Sequence, residues 1–325
     1  MLLPFRDARE TLGEAVESIL AQEGVDLELI AIDDGSSDGG AAVIERLRDR
    51  RARVVRTGPR GLSRALEAGR REATADFIAR MDADDRCAPD RLAKQLAVLR
   101  ERPRVGALGC RVAAFADGEE VGEGLQRYVR WQNGLLTPEA HRRDLFVEAP
   151  LCHPSVVLRR RALDAVGGWR DEAWAEDYAL WLRLDAAGWG LAKVPEVLFE
   201  WRHRPERLTF TDPRYSPERM RALRAHFLAK KLDAPSVTVW GAGKTGRRLA
   251  RALAAHGVET SRFVDIDPRK VGGTARGAPI VGPDDVRRGR EPLIVAVGAR
   301  GARDEVRERL VAIGFVDGHD FICAA

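Results

Sequence analysis

Cysteine and long apolar runs are scarce in this sequence, and both absences exclude classes of protein. The four cysteines among 325 residues lie far apart, with no Cys-x-x-Cys pair and no histidine at metal spacing. Neither a disulfide framework nor a zinc site is therefore indicated. No segment approaches the roughly 20 consecutive apolar residues of a membrane-spanning helix. In the N-terminal MLLPFRDARE the apolar stretch is too short for a signal peptide, and an acidic residue follows it too closely. We therefore expect a cytoplasmic protein.

Aromatic residues are also few, at 6% of the chain, and the basic segments carry no nucleic-acid-binding motif. We therefore expect no nucleic-acid partner. The net charge of +4 comes from arginine spread along the chain, which suits an anionic substrate or an anionic membrane surface. With 325 residues, 45% of them apolar, the chain is long enough for about two globular domains.

Helical and strand-like segments alternate from the N-terminus onward. This alternation predicts an α/β fold with a mostly parallel sheet, whose functional loops follow the carboxyl ends of the strands. The stretch 104–150 is less regular and shows no motif. Apolar spacing and the positions of glycine and proline predict helices at 11–22, 41–50, 62–73, 89–102 and 175–187, and strands at 27–32, 53–56, 76–81 and 154–160.

Composition shifts near residue 205, which predicts a domain of residues 1–205, a connector at 206–235 and a second α/β domain at 236–325. The connector carries a basic amphipathic helix at 217–231. Such a helix can rest on anionic lipid as a peripheral membrane contact. Packing of its apolar face between domains is the more common arrangement, and we favour it.

Two acidic turns follow predicted strands. Asp33 and Asp34 directly follow the run LELIAI. A carboxylate at the end of a strand can accept hydrogen bonds from a base or from ribose hydroxyls. The alternative is a turn whose only role is to begin the next helix. Asp82, Asp84 and Asp85 follow the strand at 76–81. Mg²⁺ and Mn²⁺ prefer such oxygen ligands together with substrate phosphates, but an isolated Asp-x-Asp is more often a solvated acidic loop.

A third acidic pair, Glu176 and Asp177, lies in the first turn of the helix at 175–187. The helix dipole alone would favour acids there, while a general base for a hydroxyl group is the functional alternative.

Taken in order, these motifs closely resemble the family-2 glycosyltransferases of the GT-A fold. The resemblance covers residues 1–205 through the segments LPFRDARETLGEAVESILAQEGVDLELIAIDDGSSDGG, RGLSRALEAGRREATADFIARMDADDRCAPDRLAKQLAVL and HPSVVLRRRALDAVGGWRDEAWAEDYALWLRL. The family usually has several residues of first strand before LPF, so the resemblance implies either a shortened first strand or a start that is placed too late in this sequence.

The resemblance implies a role for each matching residue. Asp177 would be the catalytic base of an inverting transfer, and Asp84 and Asp85 would bind the Mn²⁺ or Mg²⁺ that bridges the diphosphate. The remaining residues would bind the nucleotide-sugar: Pro4 and Phe5 near the base, Asp34 on the base with Asp33 in support, Gly61 and Arg64 along the donor site, and Asp82 near the ribose or donor sugar.

The activity so implied is transfer of a sugar from a nucleoside diphosphate, expected to be UDP, to a hydroxyl of a surface polysaccharide or a lipid-linked acceptor. His153 and His203 stay outside this set. A later histidine completes the metal shell in some relatives, but we favour a partly exposed loop histidine for His203, and His153 would line the acceptor side or simply pack. Two other classes remain open: a nucleotide-binding regulatory module with an inactive transferase domain, and an NAD(P)-linked oxidoreductase using the C-terminal domain.

The C-terminal segment VTVWGAGKTGRRLA contains a Gly-x-Gly-x-x-Gly motif, Gly241, Gly243 and Gly246, between a predicted strand and a helix. Asp265 ends the next strand, in the position that suits a ribose hydroxyl. The segment resembles the small Rossmann-like domains of bacterial sugar-processing proteins, which implies a site for NAD(P) or another nucleotide. Glycines that only permit tight packing are the alternative.

Overall fold

The computed structural model describes residues 1–118, 120–205, 207–289 and 291–325. Glu206, the first residue of the predicted connector, lies outside them. The chain forms two compact units. The first contains Met1–His141 and Pro150–Asp212, and the second contains Arg142–Ala149 and Pro213–Ala325. The segment 142–149, which sequence analysis placed inside the first domain, is thus part of the second unit.

The first unit begins with three parallel strands joined by helices, as the alternation of patterns predicts. Its secondary structure comprises strands β1 (Leu2–Phe5), β2 (Leu29–Asp33), β3 (Ala52–Arg56), β4 (Phe77–Ala79), β5 (Arg86–Cys87), β6 (Val105–Phe115), β7 (Val157–Arg159) and β8 (Gly190–Arg202), and helices α1 (Arg9–Leu20), α2 (Ala41–Leu47), α3 (Leu62–Glu72), α4 (Arg91–Glu101), α5 (Glu123–Gly134), α6 (Pro138–Asp144), α7 (Arg160–Ala165), α8 (Glu176–Ala186) and α9 (Leu208–Thr211). Helix α6 runs across the boundary into the segment 142–149.

Strands β1, β2 and β3 form a parallel sheet in that order, and β2 is buried along its whole length. Burial on both faces explains why its sequence, LIAID, is a continuous apolar run before the acid. Helix α3 approaches this sheet closely at Gly69, where a Cβ atom would lie 2.7 Å from the Cδ1 atom of Ile32. The four-residue β1 pairs along its whole length with residues 30–33 of β2.

A second, mixed sheet has the strand order β4-β7-β6-β8-β5, with a parallel β6–β8 pair and three antiparallel pairs. A parallel bridge between Leu2 and Arg80, with a 3.1 Å hydrogen bond from the Met81 N–H to the Leu2 carbonyl, connects β1 to the end of β4. The carboxyl ends of β1, β2 and β4 therefore lie along one edge. The α/β class is confirmed; the long strands β6 and β8 were not predicted.

The second unit is built on a six-stranded sheet. Its elements are α10 (Pro217–Leu232), β9 (Ser236–Trp240), α11 (Lys244–Ala254), β10 (Glu259–Val264), β11 (Thr274–Ala275), β12 (Ala278–Val281), β13 (Leu293–Val295), α12 (Ala302–Ala312) and β14 (Phe321–Cys323). The strand order is β11-β12-β10-β9-β13-β14, and every pair except β11–β12 is parallel. If β11 is left out and the other five strands are numbered 1 to 5 in chain order, their order in the sheet is 3-2-1-4-5, as in a doubly wound fold.

Helix α10 is the predicted basic amphipathic helix, and it begins at a capped N-terminus where the Ser216 hydroxyl accepts a hydrogen bond from the Arg219 N–H. Its apolar side is buried at Leu223, Ala225 and Leu228. The helix therefore buries its apolar face within the protein. Across the described ranges, no helix is both long enough and apolar enough to cross a membrane.

Candidate active site

Asp34 joins the end of β2 to the loop before α3. It is 6% exposed, and its two carboxylate oxygens accept hydrogen bonds from the backbone N–H groups of Arg60 (2.8 Å) and Gly61 (2.9 Å). Gly61 has φ +88°, a backbone conformation that favours glycine, which explains the residue type there. The structure thus brings together two predicted parts of the nucleotide site, the acid after β2 and the start of α3.

Asp33 has a more local role. Its Oδ1 atom accepts a 2.8 Å hydrogen bond from the Ser36 N–H and so shapes the turn after β2. Pro4 and Phe5 are buried at the end of the neighbouring strand β1, and the Phe5 carbonyl accepts a hydrogen bond from the Asp34 N–H. Both residues therefore pack next to Asp34 at the carboxyl edge of the sheet.

Arg64 lies on the exposed side of α3, one turn beyond Gly61. Its Nε atom forms a 2.8 Å ion pair with Asp171, in the loop that precedes α8. The arginine predicted to line the donor site is thus directed towards the segment that carries Asp177. Because both partners are substantially exposed, this pair contributes little to stability.

Asp82, Asp84 and Asp85 converge after β4. One carboxylate oxygen from each lies within 4.8 Å of the others. Asp85 is 1% exposed, and its Oδ1 atom accepts a hydrogen bond from the Arg202 N–H, while its buried Oδ2 atom has no partner among the described residues. A buried carboxylate oxygen without a donor is expected where a cation is held. The three acids therefore fit a hard divalent cation such as Mn²⁺ or Mg²⁺.

The electrostatics of this acidic cluster, Asp82, Asp84 and Asp85, agree with that chemistry. Burial, and then the negative charge of Asp82, raises the pKa of the Asp84 carboxyl. The same two causes raise the pKa of Asp85 well above its usual range. A bound divalent cation would supply the opposite charge and favour the ionised forms of both residues.

Arg202, the last residue of β8, holds the acidic cluster in place. Besides the backbone bond to Asp85, its Nε atom donates to the Asp84 carbonyl at 2.7 Å. Its remaining guanidinium nitrogens pair with Asp117 and Glu14, and the guanidinium carbon lies 4.6 Å from the centre of the Phe115 ring. All of these bonds point to side chains or backbone of the scaffold, so Arg202 fixes the shape of the loop.

Asp177 lies at the start of α8 and is partly exposed, whereas the adjacent Glu176 is buried, at 2% exposure. The carboxylate of Glu176 faces the Nδ1 atom of His153 at 3.7 Å. The Nε2 atom of the same ring accepts a 3.0 Å hydrogen bond from the Trp169 indole N–H. These polar contacts therefore support the first turn of the helix that carries the predicted base.

His153 is neutral at pH 7. Burial, and then the positive charge of Arg80, lowers its pKa to about 4. Since Nε2 accepts from Trp169, the single ring proton resides on Nδ1 and points to Glu176. The histidine is thus part of the support of α8, and its nearest acid is Glu176.

Comparison with known proteins assigns the chain to a family. Residues 1–167 match the family model for glycosyl transferase family 2. The chain belongs to this family. It is similar to an uncharacterized glycosyltransferase of Haemophilus influenzae, with 29% identity over 201 residues, 61% of this chain and 72% of the relative. It is also similar to the amylovoran biosynthesis glycosyltransferase AmsE of Erwinia amylovora, with 30% identity over 200 residues, again 61% and 72% of the two chains.

Among solved structures, this glycosyltransferase is similar to residues 1–349 of S. aureus TarS in complex with UDP-GlcNAc. The TM-score is 0.57 at 17% identity, over 78% of this chain and 70% of TarS. This likeness confirms the GT-A type of fold for the chain. The predicted fold class and the enzyme class are both confirmed.

The three glycines of the turn between β9 and α11 differ in how closely other atoms surround them. A Cβ atom at Gly246 would lie 1.9 Å from the Gly241 carbonyl oxygen, and one at Gly241 would lie 2.4 Å from the Ala296 carbonyl oxygen. These two glycines are therefore required by backbone packing alone. Gly243, at the start of α11, has no atom within 4 Å of that position, so packing does not account for it.

Asp265 is engaged by the same turn. Its Oδ2 atom accepts hydrogen bonds from the Ala242 N–H (3.1 Å) and the Lys270 ammonium (3.0 Å), and its Oδ1 atom accepts one from the Asp267 N–H (3.0 Å). The acid thus ties β10 to the glycine turn. A ribose hydroxyl would have to share or replace one of these donors.

Sequence analysis assigned no role to Arg80 or Arg202. Arg80 is an arginine within the otherwise apolar strand segment DFIARM, a signal for a buried charge. Arg202 had no comparable signal, because the strand β8 that carries it was not predicted.

Proposed function

We propose that this glycosyltransferase is a metal-dependent inverting enzyme that transfers a sugar from a UDP-linked donor to a hydroxyl of a polysaccharide acceptor. The convergence of the three carboxylates of the acidic cluster at the edge shared with Asp34 carries the proposal. The similarity to an amylovoran biosynthesis enzyme favours a polysaccharide acceptor, and the UDP-GlcNAc complex of TarS favours a UDP donor.

The residues divide the work by position. Asp34 and the backbone it organises at Gly61 would bind the nucleoside, and Asp82 would orient the donor. Asp84 and Asp85 would hold Mn²⁺ or Mg²⁺, which supplies a Lewis acid for the negative charge that develops on the leaving diphosphate. Asp177 would accept the proton of the acceptor hydroxyl as that oxygen attacks the anomeric carbon. A single displacement inverts that carbon and needs no covalent sugar–enzyme intermediate.

Two variants test the proposal. Calorimetry should show UDP binding that requires Mn²⁺ and is lost in Asp84→Ala. In Asp177→Asn, donor binding should persist while UDP release in the presence of acceptor falls by about a hundredfold or more, the usual effect of losing a general base. Asp185→Asn, at the other end of α8, is the matched control and should retain wild-type transfer. Near wild-type turnover of Asp177→Asn would show that the base is another residue.

We further propose that the second unit binds a nucleotide, with NAD(P) or a nucleotide-sugar as the candidates. The open space at Gly243, at the N-terminus of α11, favours this proposal over glycines required only for packing. Calorimetry on the full chain with NAD⁺, NADPH and UDP separates the candidates. Gly243→Val should abolish nucleotide binding at this unit without unfolding it. A heat of binding with NAD⁺ or NADPH, and none with UDP, would favour a regulatory module over the transferase.

A further inference from the structure

Arg80 is a fully buried cation beside the acidic cluster. Its side chain is 1% exposed, and its Nη2 atom forms a 2.7 Å ion pair with Asp82. The Nε and Nη1 atoms have no hydrogen-bond partner among the residues described. Burial of a guanidinium with a single partner is costly, and an apolar residue would satisfy the packing of this strand end. The charge itself therefore needs a functional explanation.

The backbone of Arg80 connects the donor edge to the turn that carries His153. Its N–H donates to the Val156 carbonyl at 3.1 Å. One nitrogen of Arg91 donates both to the Arg80 carbonyl and to the Pro154 carbonyl, at 3.1 and 3.3 Å. Arg80 is thus held against the same turn whose histidine faces Glu176.

Three acids act on Arg80. Burial, the largest single influence, would lower its pKa, but the charges of Asp82, Glu176 and Asp85 together with the hydrogen bond to Asp82 raise the pKa above its ordinary value. His153 is neutral and directs its N–H to Glu176, so it adds no positive charge on that side. Arg80 therefore supplies positive charge to both Asp82 and Glu176.

We propose that Arg80 is a positioning residue of the transfer reaction, which orients Asp82 towards the donor and limits by its charge how tightly the acidic cluster holds the divalent cation. This inference rests on the proposed function. Its physical basis is that a fixed cation near three carboxylates opposes the binding of a second cation. Moderate metal affinity would allow the metal–nucleotide product to leave after transfer.

The test measures metal binding separately from turnover. Free Mn²⁺ is followed by its electron paramagnetic resonance signal, with the full chain and no nucleotide present, and kcat and KM are measured by UDP release. Removing one unit charge about 6 Å from a divalent cation changes its affinity about tenfold even at the dielectric constant of water. We therefore expect Arg80→Met to bind Mn²⁺ about tenfold more tightly than wild type while kcat falls about a hundredfold.

Two further variants make the result specific. Arg80→Lys keeps the charge but not the planar geometry, so it should keep wild-type Mn²⁺ affinity and still lose at least about tenfold in kcat. Arg159→Met removes a guanidinium that donates to the Leu99 and Val105 carbonyls, away from the acids, and should leave both Mn²⁺ affinity and kcat unchanged.

The outcomes separate the two proposals. A wild-type protein that neither binds Mn²⁺ nor releases UDP would overturn the proposed function and this inference with it. A competent wild type with an Arg80→Met variant that loses Mn²⁺ binding, or keeps wild-type kcat, would overturn the inference alone. If Arg80→Met does not fold, wild-type kcat in Arg80→Lys would overturn the positioning role.

Discussion

Asp85→Asn should stabilise the metal-free protein at neutral pH, although it removes a residue of the candidate metal site. The buried carboxylate of Asp85 has one hydrogen-bond donor, the Arg202 N–H at 2.8 Å, and its second oxygen has none among the described residues. Asparagine keeps an acceptor for that N–H and places an amide donor towards the oxygens of Asp82 and Asp84. The substitution thus replaces two repulsions by possible hydrogen bonds.

The magnitude follows from the spacing of the charges. Carboxylate oxygens within 4.8 Å of one another repel by about 1 kcal/mol per pair in water and about 3 kcal/mol at an effective dielectric constant of about 20. Losing the two repulsions that involve Asp85 should stabilise the metal-free protein by about 2–6 kcal/mol. For a unit of about 200 residues this corresponds to a rise of about 4–24 °C in Tm.

The pH dependence has a defined sign. The pKa values of Asp84 and Asp85 are raised above 3.8 in the folded protein, chiefly by burial and then by the charge of Asp82. Between 3.8 and the raised values the folded protein binds more protons than the unfolded chain, so these two groups make stability fall as pH rises through that window. Mn²⁺ should restore the lost stability at pH 7.5, and in Asp85→Asn this response should be abolished.

Differential scanning calorimetry in EDTA and in Mn²⁺, from pH 5 to 8, measures these effects. Asp49→Asn is the control of opposite sign. Hydrogen bonds from Arg51 lower the pKa of Asp49 to about 2, so its substitution removes a favourable interaction and should not raise Tm. If Asp85→Asn melted at or below the wild-type temperature in EDTA at pH 7.5, the repulsion argument would be refuted.

Glycine substitutions test how closely the elements pack, by urea denaturation. Gly69→Ala places a Cβ atom 2.7 Å from Ile32 and should cost about 1–3 kcal/mol, whereas Gly13→Ala, with its Cβ 3.8 Å from Val43, should gain about 1 kcal/mol in helix α1. A destabilised Gly13→Ala would contradict the helical geometry there. In the second unit, Gly246→Ala would place a Cβ atom 1.9 Å from the Gly241 carbonyl oxygen. It should lower the free energy of unfolding of that unit by more than about 3 kcal/mol. An unchanged urea unfolding transition would show that the turn can relax.

The parallel part of the fold was predictable because its signals are local. Strand β2 is a short apolar run that ends in acids, and α3 follows a glycine turn with helical spacing. Each pattern is complete within about a dozen residues, which is the length over which periodicity is informative. For the same reason the acids at strand ends could be found without knowledge of their partners.

Strands β6 and β8 escaped prediction because their pairing is long-range and irregular. Residues 105–115 pair with residues 190–202 in parallel, with register shifts on either side of Arg111. Strand β8 also contains Pro195 and alternates between buried and exposed segments. The segment 142–149 likewise has no local signal. The ring centre of its Phe146 lies 5.5 Å from the Nζ atom of Lys231. Lys231 is 85 residues later in the chain, so a local pattern cannot reveal this contact.

The different surroundings of the three acids in the acidic cluster are set by residues outside the Asp-x-Asp-Asp motif, one close in sequence and one remote. One oxygen of Asp82 is occupied by Arg80, which makes Asp82 a poorer metal ligand than its neighbours. Asp85 has a buried free oxygen because β8, more than 100 residues later, supplies a single backbone donor to the other one. These contacts support the assignment of Asp82 to the donor and of Asp84 and Asp85 to the metal. An Asp-x-Asp-Asp motif cannot encode that asymmetry by itself, because the asymmetry arises only when Arg80 pairs with Asp82 and Arg202 of β8 binds the Asp84 carbonyl and the Asp85 carboxylate.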